Sequence, residues 1–318
     1  MSGERELLVR LAEGPVSGDV LARDAGLTRA AMWKRIEALR HAGLRVDARA
    51  GQGYVLHGPL DLLDAGIIRE GLPAEGLASL EVAWSLDSTN SELLRRQTPE
   101  SGVAVLLAEQ QTGGRGRRGR AWASPLAANL YLSLARHFSG GLARLGGLSL
   151  VTGIVVAETL RTLGFARVGL KWPNDLLVDH RKLGGVLIEG GGEHGGPVRA
   201  VIGIGLNVRM PGGWAESIDQ PWIDLQSMSD APLQRNYLAA AVLSSMLPAL
   251  ERFDAEGLSP FLPRYAALDA LAGREITVQG QTLRHGRAEG IAEDGALRVR
   301  IDGTIEHLHA GEVSVRMQ

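Results

Sequence analysis

The spacing of apolar residues along the chain changes character twice. Up to about residue 42, apolar side chains recur every three or four positions, which predicts helices. From about Leu80 to Tyr265, strand patterns alternate with helix patterns, as expected for a mixed sheet flanked by helices. From Arg274 onward, short alternating stretches are separated by glycines, which predicts a small β domain. The pattern therefore predicts three units.

The first unit is predicted to hold three helices and a β-hairpin. Thr28 is a candidate N-cap for the third helix, which extends from Arg29 to about Ala42. A helix, a tight turn and a second capped helix form the pattern of a helix-turn-helix. Two short strand patterns, 44–48 and 54–56, follow it and add a β-wing with Arg49 near its tip.

The surface of the third helix and the wing is predicted to contact DNA. Residues 1–60 contain nine Arg or Lys and seven Asp or Glu, so one copy alone should bind DNA weakly and a dimer is expected. Trp33 stands at a groove-facing position, where it either contacts thymine methyl groups or packs on the neighbouring domain. A helical domain used for protein contacts is the alternative. The predicted DNA contacts are Thr28, Arg29, Ala30, Trp33, Lys34 and Arg49.

Glycine and arginine alternate in the segment from Gly113 to Arg120, which holds four residues of each kind. Glycine lets backbone N–H groups approach a ligand closely. Arginine adds a fixed charge whose planar fork fits carboxylate and phosphate groups. Taken alone, the segment is typical either of an anion-binding loop or of a solvated basic loop, such as an RNA-binding tract.

Four further segments place polar residues beside predicted strands. Asp87–Asn90 follows an apolar run, Lys171–Asp175 closes a strand pattern, Lys182–Gly185 opens another and Gly203–Val208 follows a third. With the glycine–arginine segment, they resemble the catalytic domain of biotin–protein ligases. With the N-terminal unit, the chain resembles the bifunctional biotin–[acetyl-CoA-carboxylase] ligases and biotin operon repressors.

The resemblance implies an α+β multidomain fold. Residues 1–58 are then a winged helix-turn-helix DNA-binding domain. Residues 60–268 are a biotin- and ATP-binding catalytic domain, with a mixed β-sheet and helices as in class II aminoacyl-tRNA synthetases. Residues 272–318 are a small SH3-like β-barrel.

The resemblance also implies an activity and its regulation. Biotin and ATP, with Mg²⁺, form biotinyl-5′-AMP, and the biotin then passes to a lysine of a biotin carboxyl carrier protein. The adenylate-bound chain forms a homodimer that represses transcription at an operator. Three alternatives stay open: an active ligase whose DNA-binding domain does not regulate, a lipoate–protein ligase, and a ligand-sensing repressor without ligase activity.

The resemblance assigns roles to individual residues. Lys182 and Arg115 are the catalytic residues, and Asp175 is a weak candidate for metal binding. Predicted biotin contacts are Ser88, Thr89, Asn90, Gln111, Gly114, Arg115, Gly116, Arg117, Lys182 and Gly185. Predicted ATP or adenylate contacts are Arg117, Arg120, Trp122, Lys171, Asn174, Asn207, Trp222 and Arg316. The chain departs from the family pattern at Ala121, where lysine is often found, and at Ala127, where glycine is common.

Composition narrows these expectations. The formal net charge of −2 argues against bulk coating of nucleic acid, so DNA binding requires a local basic surface. The chain contains no cysteine, which excludes thiol catalysis, cysteine-based metal sites and disulfides. The charged N-terminus lacks the apolar core of a signal peptide, and no apolar run approaches the ~20 residues of a membrane span. We expect a cytoplasmic protein with no membrane partner.

Overall fold

A computed structural model describes residues 3–139, 141–192, 198–215, 218–280, 282–310 and 314–317. The N-terminal unit contains three helices and then an antiparallel hairpin: α1 (Gly3–Ala12), α2 (Gly18–Asp24), α3 (Arg29–His41), β1 (Val46–Arg49) and β2 (Gly53–Leu56). The predicted cap is confirmed, since Thr28 Oγ1 accepts a hydrogen bond from the backbone N–H of Ala31 at 3.2 Å. The predicted helix-turn-helix and wing are therefore present.

The third helix turns one face inward and the other outward. Met32, Ile36 and Leu39 are buried in the N-terminal core, as their spacing predicted. Trp33 is 53% exposed on the other face and does not belong to the apolar cluster that joins this core to the next unit. The interpretation that Trp33 packs on the neighbouring domain is therefore wrong.

The N-terminal unit contacts the central unit at the C-terminal end of α3. The backbone N–H of Leu126 donates to the carbonyl oxygen of Ala42 at 2.7 Å. Gly43 has a φ of +108°, and a Cβ atom there would lie 2.9 Å from Pro125 and 3.0 Å from the Trp214 indole nitrogen. Only glycine fits this position, because both the backbone conformation and the close approach exclude a side chain.

The central unit is a seven-stranded sheet flanked by helices. The strand order is β3-β4-β5-β9-β8-β7-β6; the first pair is parallel and the other pairs are antiparallel. Its elements are α4 (Ala65–Glu70), β3 (Leu77–Leu86), α5 (Thr89–Arg95), β4 (Val103–Gln111), β5 (Leu130–Phe138), α6 (Leu148–Thr162), β6 (Gly169–Lys171), β7 (Asp175–Val178), β8 (Arg181–Gly192), β9 (Val198–Leu206), α7 (Gly212–Ala215), α8 (Arg235–Glu256) and α9 (Leu262–Ala266).

Helix α6 fills the core beneath the sheet. Among the described residues, one stretch, 145–162, is long and apolar enough to cross a membrane by length and composition, but 67% of it is buried inside the fold. Helix α6 begins at Leu148, after a 3₁₀ turn that ends at Gly147. Gly146 and Gly147 lie in that turn, in keeping with the roughly 1 kcal/mol that glycine costs in a helix interior.

The C-terminal unit is a small all-β domain. Its five strands, all antiparallel, are β10 (Glu275–Gln279), β11 (Leu283–Ile291), β12 (Leu297–Ile301), β13 (Thr304–Leu308) and β14 (Ser314–Met317), in the order β13-β12-β11-β10-β14. The indole N–H of Trp172 donates to the carbonyl oxygen of Gly295 at 2.9 Å and joins this unit to the central one. The three-unit architecture is confirmed; the exact domain boundaries stay predictions.

A buried ion pair joins several segments of the central unit. The Arg235 guanidinium, 2% exposed, donates to the Glu109 carboxylate at 2.7 Å, to the Asn129 carbonyl at 3.1 Å and to the Asp61 carbonyl at 3.0 Å. Burial raises the pKa of the Glu109 carboxyl, and the charge of Arg235 opposes part of that rise. A buried charge is tolerated only when its hydrogen-bonding groups are satisfied, so these segments must meet at this point.

Replacing Glu109 with glutamine should destabilise the fold strongly, because it removes the 2.7 Å counter-charge of the buried Arg235 and leaves the more distant Asp61 carboxylate, at 3.9 Å. We expect the free energy of unfolding to fall by about 3–5 kcal/mol, measured by urea unfolding followed by circular dichroism. The control is Glu251→Gln, which removes an exposed partner of Arg136 while Asp254 remains; it should cost less than about 1 kcal/mol. Equal losses in the two variants would contradict the assigned role.

Candidate active site

Two adjoining cavities lie in the central unit and share a wall. The first has a volume of about 440 Å³ and the second about 550 Å³, each within the range of ligand sites. Trp122 and Lys182 belong to both linings. We call them the polar chamber and the aromatic chamber, since hydroxyl and amide side chains line the first, and Trp122, Trp214 and Trp222 line the second.

Helix α5 and strand β4 build one wall of the polar chamber. The hydroxyl of Ser88 caps α5, accepting a hydrogen bond from Ser91 N at 3.4 Å. The backbone N–H and the hydroxyl of Thr89 lie 2.9 Å and 3.2 Å from Gln111 Oε1. Gln111 Nε2 in turn donates to Ser124 Oγ at 3.1 Å. These bonds fix a row of donors and acceptors at one end of the chamber.

A carboxylate ties the glycine–arginine segment to that wall. Arg115 Nη2 donates to both oxygens of Glu189 on β8, at 3.0 and 3.1 Å, and its other terminal nitrogen donates to the Ser91 hydroxyl. Asn90 Nδ2 donates to the same carboxylate at 2.8 Å. Arg115 is therefore held at the chamber by α5 and β8 together.

The rest of the glycine–arginine segment concentrates positive charge at the chamber. Arg117 donates to Asn174 Oδ1 at 3.3 Å and to the Ala310 carbonyl oxygen of the C-terminal unit. Burial, and then the charge of Arg118, lower the pKa of the Arg117 guanidinium. An anion bound here would relieve that repulsion, and backbone N–H groups of a Gly-rich turn favour the same charge.

Lys182 is held between a carboxylate and an indole ring. Its Nζ lies 2.7 Å from Asp175 Oδ1 and 5.5 Å from the centre of the Trp122 ring, and its side chain is 17% exposed. The backbone N–H of Lys182 donates to the Pro221 carbonyl at 2.9 Å, so Trp222 is bridged to the same strand. One cation thus stands at the junction of the two chambers, held by a carboxylate and an indole ring.

Asn207 secures the strand ends beneath Lys182. Its Nδ2 donates to the Lys182 carbonyl at 3.4 Å and to the Ile223 carbonyl at 3.1 Å. The segment that carries Trp222 is thereby connected to β8 and β9. Asn207 also lines the aromatic chamber.

Glycines on β9 let the chamber walls approach the sheet. A Cβ atom at Gly205 would lie 2.6 Å from the Trp122 ring, and one at Gly203 would lie 2.4 Å from Asn90 Oδ1. A Cβ at Gly114 would lie 2.7 Å from Ser124 Oγ. The ring of Trp122 therefore rests directly on the backbone of β9.

Most predicted site residues meet at the two chambers. The polar chamber includes Ser88, Thr89, Asn90, Gln111, Arg115, Gly116, Arg117, Arg120, Trp122, Asn174, Lys182 and Gly185. The aromatic chamber includes Gln111, Gly114, Trp122, Lys182, Asn207 and Trp222.

Three predicted residues are placed differently. Lys171 and Asp175 pair across β6 and β7 and line neither chamber, although Asp175 forms an ion pair with Lys182. The backbone of Arg316 lies in β14, and its side chain lies outside the described residues.

Sequence reasoning missed several residues. Ser133, Glu189, Trp214 and Asp219 contact or line the chambers, and no role was predicted for them. Glu189 closes the apolar stretch that begins at the Lys182–Gly185 motif. A charge at the end of such a buried strand was the available signal.

Comparison with known sequences places the chain in a family. Residues 82–207 match the Biotin/lipoate A/B protein ligase family, 272–316 match the biotin protein ligase C-terminal domain, and 4–55 match an HTH domain. The bifunctional ligase/repressor BirA of Salmonella typhimurium is 43% identical over 98% of this chain and 96% of its own length. BirA of Escherichia coli is 42% identical with the same coverage. The chain belongs to the biotin protein ligase family.

This ligase also resembles solved structures of its family. Biotin protein ligase from Aquifex aeolicus, in complex with biotin and ATP, aligns with a TM-score of 0.66 at 26% identity, covering 76% of this chain and all of that one. The resemblance inferred from the motifs is confirmed: the chain is a biotin protein ligase with an N-terminal helix-turn-helix. The lipoate ligase and the repressor without ligase activity are set aside.

Replacing Gly205 with alanine should displace Trp122, because the new methyl group would overlap its ring. We expect kcat/KM of the ligase to fall about 100-fold, the size of effect that a displacement of ~1 Å can produce at a site. The control is Gly191→Ala on β8, where a Cβ meets nothing within 4 Å. Steady-state ligation assays measure both variants, and comparable activity in the two would refute the steric explanation.

Proposed function

We propose that this ligase activates biotin with ATP and transfers it to a lysine of a biotin carboxyl carrier protein. The observation that carries the proposal is the meeting of a polar and an aromatic chamber at Lys182. The chemistry needs two ligands side by side, with a fixed cation where their reacting ends touch. We also expect the ligase to act in the cytoplasm.

The polar chamber suits biotin. The ureido ring offers two N–H donors and one carbonyl acceptor, which match the hydroxyls and amides of Ser88, Thr89, Asn90 and Gln111. The biotin tail would then extend toward Lys182, where its carboxylate meets positive charge. We assign Arg115, Arg117, Gly114, Gly116 and Gly185 to the same ligand through charge or close backbone approach.

The aromatic chamber suits the adenosine of ATP. Stacking of the base on Trp222 would contribute roughly 1–3 kcal/mol, by analogy with base stacking on aromatic side chains. Arg117, Arg120 and Lys182 would surround the phosphates. Trp122, Asn174 and Asn207 complete this proposed set, and Lys171 and Arg316 remain predicted contacts.

The proposed reaction has two steps. A carboxylate oxygen of biotin attacks the α-phosphorus of ATP, the bond to the β-phosphate oxygen breaks, and pyrophosphate leaves. The amine of the carrier lysine then attacks the acyl carbon, and AMP leaves as the amine loses a proton. Negative charge develops in both steps, so the fixed charges of Lys182 and Arg115 would stabilise both transition states.

Magnesium enters this scheme with the nucleotide. Across the described part of the chain, no group of three or more His, Asp or Glu side chains is arranged to hold a metal ion. Asp175 is engaged by Lys182 at 2.7 Å, so its predicted metal contact rests on sequence alone. Magnesium bound to ATP would neutralise the charge of the departing pyrophosphate.

Replacing Lys182 with methionine should abolish most of the activity, because the side chain keeps its bulk and loses its charge. We expect biotin-dependent pyrophosphate exchange to fall about 10²–10³-fold, the usual cost of losing one stabilising group. In a second assay, the variant is incubated with ATP, magnesium, a carrier-domain fragment and either biotin or lipoate. Intact mass spectrometry then measures the mass gain of the carrier. Lys34→Met, on the exposed face of α3, is the control and should ligate normally. Unchanged turnover of Lys182→Met, or mass gain only with lipoate, would refute the assignment.

We also propose that the adenylate-bound ligase forms a homodimer that represses transcription at an operator. The predicted DNA contacts, Thr28, Arg29, Ala30, Trp33, Lys34 and Arg49, are all exposed. Trp33 favours a second candidate, an active ligase whose N-terminal unit no longer regulates, since a bulky indole occupies the face where base-reading side chains are usually small or polar.

Replacing Arg49 with alanine should weaken DNA binding at every sequence and lower the salt dependence. We expect the slope of log K against log salt to fall by about one, as for the loss of one phosphate contact. The probe is a DNA duplex that the protein, loaded with biotin and ATP, selects from a random library. Fluorescence anisotropy gives the affinity for this duplex. Arg252→Ala, on α8, serves as the control. Failure to enrich any duplex would favour the second candidate.

A further inference from the structure

A carboxylate that no motif predicted connects the two sides of the polar chamber. Glu189 lies on β8, and its side chain is 26% exposed. It accepts hydrogen bonds from Arg115 Nη2 at 3.0 and 3.1 Å and from Asn90 Nδ2 at 2.8 Å. Both partners line the polar chamber, whereas Glu189 itself is not part of the lining.

The bond to Glu189 orients the amide of Asn90. A carboxylate accepts hydrogen bonds and cannot donate them, so the NH₂ group of Asn90 must face Glu189. The Leu187 carbonyl, 3.3 Å from the same nitrogen, requires the same orientation. Asn90 Oδ1 therefore faces Ser133 Oγ, which lies 2.6 Å away.

The orientation then passes along the wall to Thr89. Ser133 has a single hydroxyl proton, and Asn90 Oδ1, an acceptor without a proton of its own, requires it. The Ser133 oxygen is left to face Thr89 Oγ1, 2.7 Å away, as an acceptor. The Thr89 hydroxyl therefore donates to Ser133, because otherwise no proton would lie between the two oxygens, and its lone pairs remain for a ligand N–H group.

We propose that Glu189 is a positioning residue for biotin. Together with the Leu187 carbonyl, its acceptor oxygens fix which atoms of Asn90, Ser133 and Thr89 donate and which accept, so that the wall meets a ureido group with acceptors already directed. The same carboxylate holds Arg115 at the chamber. This proposal rests on the proposed function, because it requires biotin in the polar chamber.

Glu189→Gln is the informative substitution. The amide has the size of the carboxylate, but its NH₂ group can face Asn90 and reverse the order of donors along the wall. We expect the Kd for biotin alone, measured by calorimetry, and the KM for biotin to rise roughly 10–100-fold, as for one lost hydrogen bond to a charged group. The KM for ATP should change by less than about threefold, since Glu189 contacts none of the residues assigned to ATP, whereas kcat should fall as well because the same carboxylate holds Arg115.

The control is Glu158→Gln, which breaks another Arg–Glu pair, with Arg264 at 2.5 Å, outside both chambers. It should leave the KM for biotin unchanged. A fall in thermal stability of Glu189→Gln with unchanged biotin affinity would overturn the proposal, because a purely structural role predicts that result.

A double substitution separates positioning from general loosening. Asn90→Ala removes the oriented amide. In that background, adding Glu189→Gln should raise the Kd for biotin by less than about threefold, far less than the roughly 10–100-fold expected in the unsubstituted protein, so the two effects should be strongly non-additive. Additive effects would overturn the proposal. If the unsubstituted protein binds and activates no biotin, the proposed function itself fails. If the unsubstituted protein binds and activates biotin and Glu189→Gln binds biotin equally well, only this inference fails.

Discussion

The buried guanidinium of Arg235 is the constraint on which the central unit depends. It opens α8, yet it is bound by the carboxylate of Glu109 on β4, by the backbone before β5 and by the interdomain segment at Asp61. A charge in the core demands complete pairing, so helix, strands and linker must come together in one arrangement. Gln111 follows Glu109 at the end of the same strand, and the polar chamber begins there.

This sheet determines the geometry of the two chambers. Strands β4, β8 and β9 bring Gln111, Lys182 and Gly205 to the same end of the sheet, although these residues lie far apart in sequence. Gly205 brings the Trp122 ring onto the backbone, and Trp122 in turn forms one side of the Lys182 environment. The position of the central cation is thus a property of the sheet, and the polar loops around it adapt to it.

Local rules recovered much of this molecule from sequence. Cap residues, glycine breaks and apolar spacing located the helix-turn-helix, and the motif segments assembled most of the chamber linings. What local rules could not supply was register. Lys171 lies beside Asp175 across β6 and β7 and misses both chambers, because strand pairing decides which residues of a hairpin reach the site. Glu189 was missed because its contacts with Asn90 and Arg115 join residues far apart in sequence and form only in the folded chain.

The closeness of Gly43 to Trp214 gives the N-terminal unit a second use. Trp214 lines the aromatic chamber, and the bare backbone at the end of α3 is packed against its outer side. A chain shortened to its catalytic and C-terminal units would therefore lose this contact with Trp214 as well as the helix-turn-helix. Loss of the contact would expose one side of Trp214, and with it part of the wall of the aromatic chamber, to water.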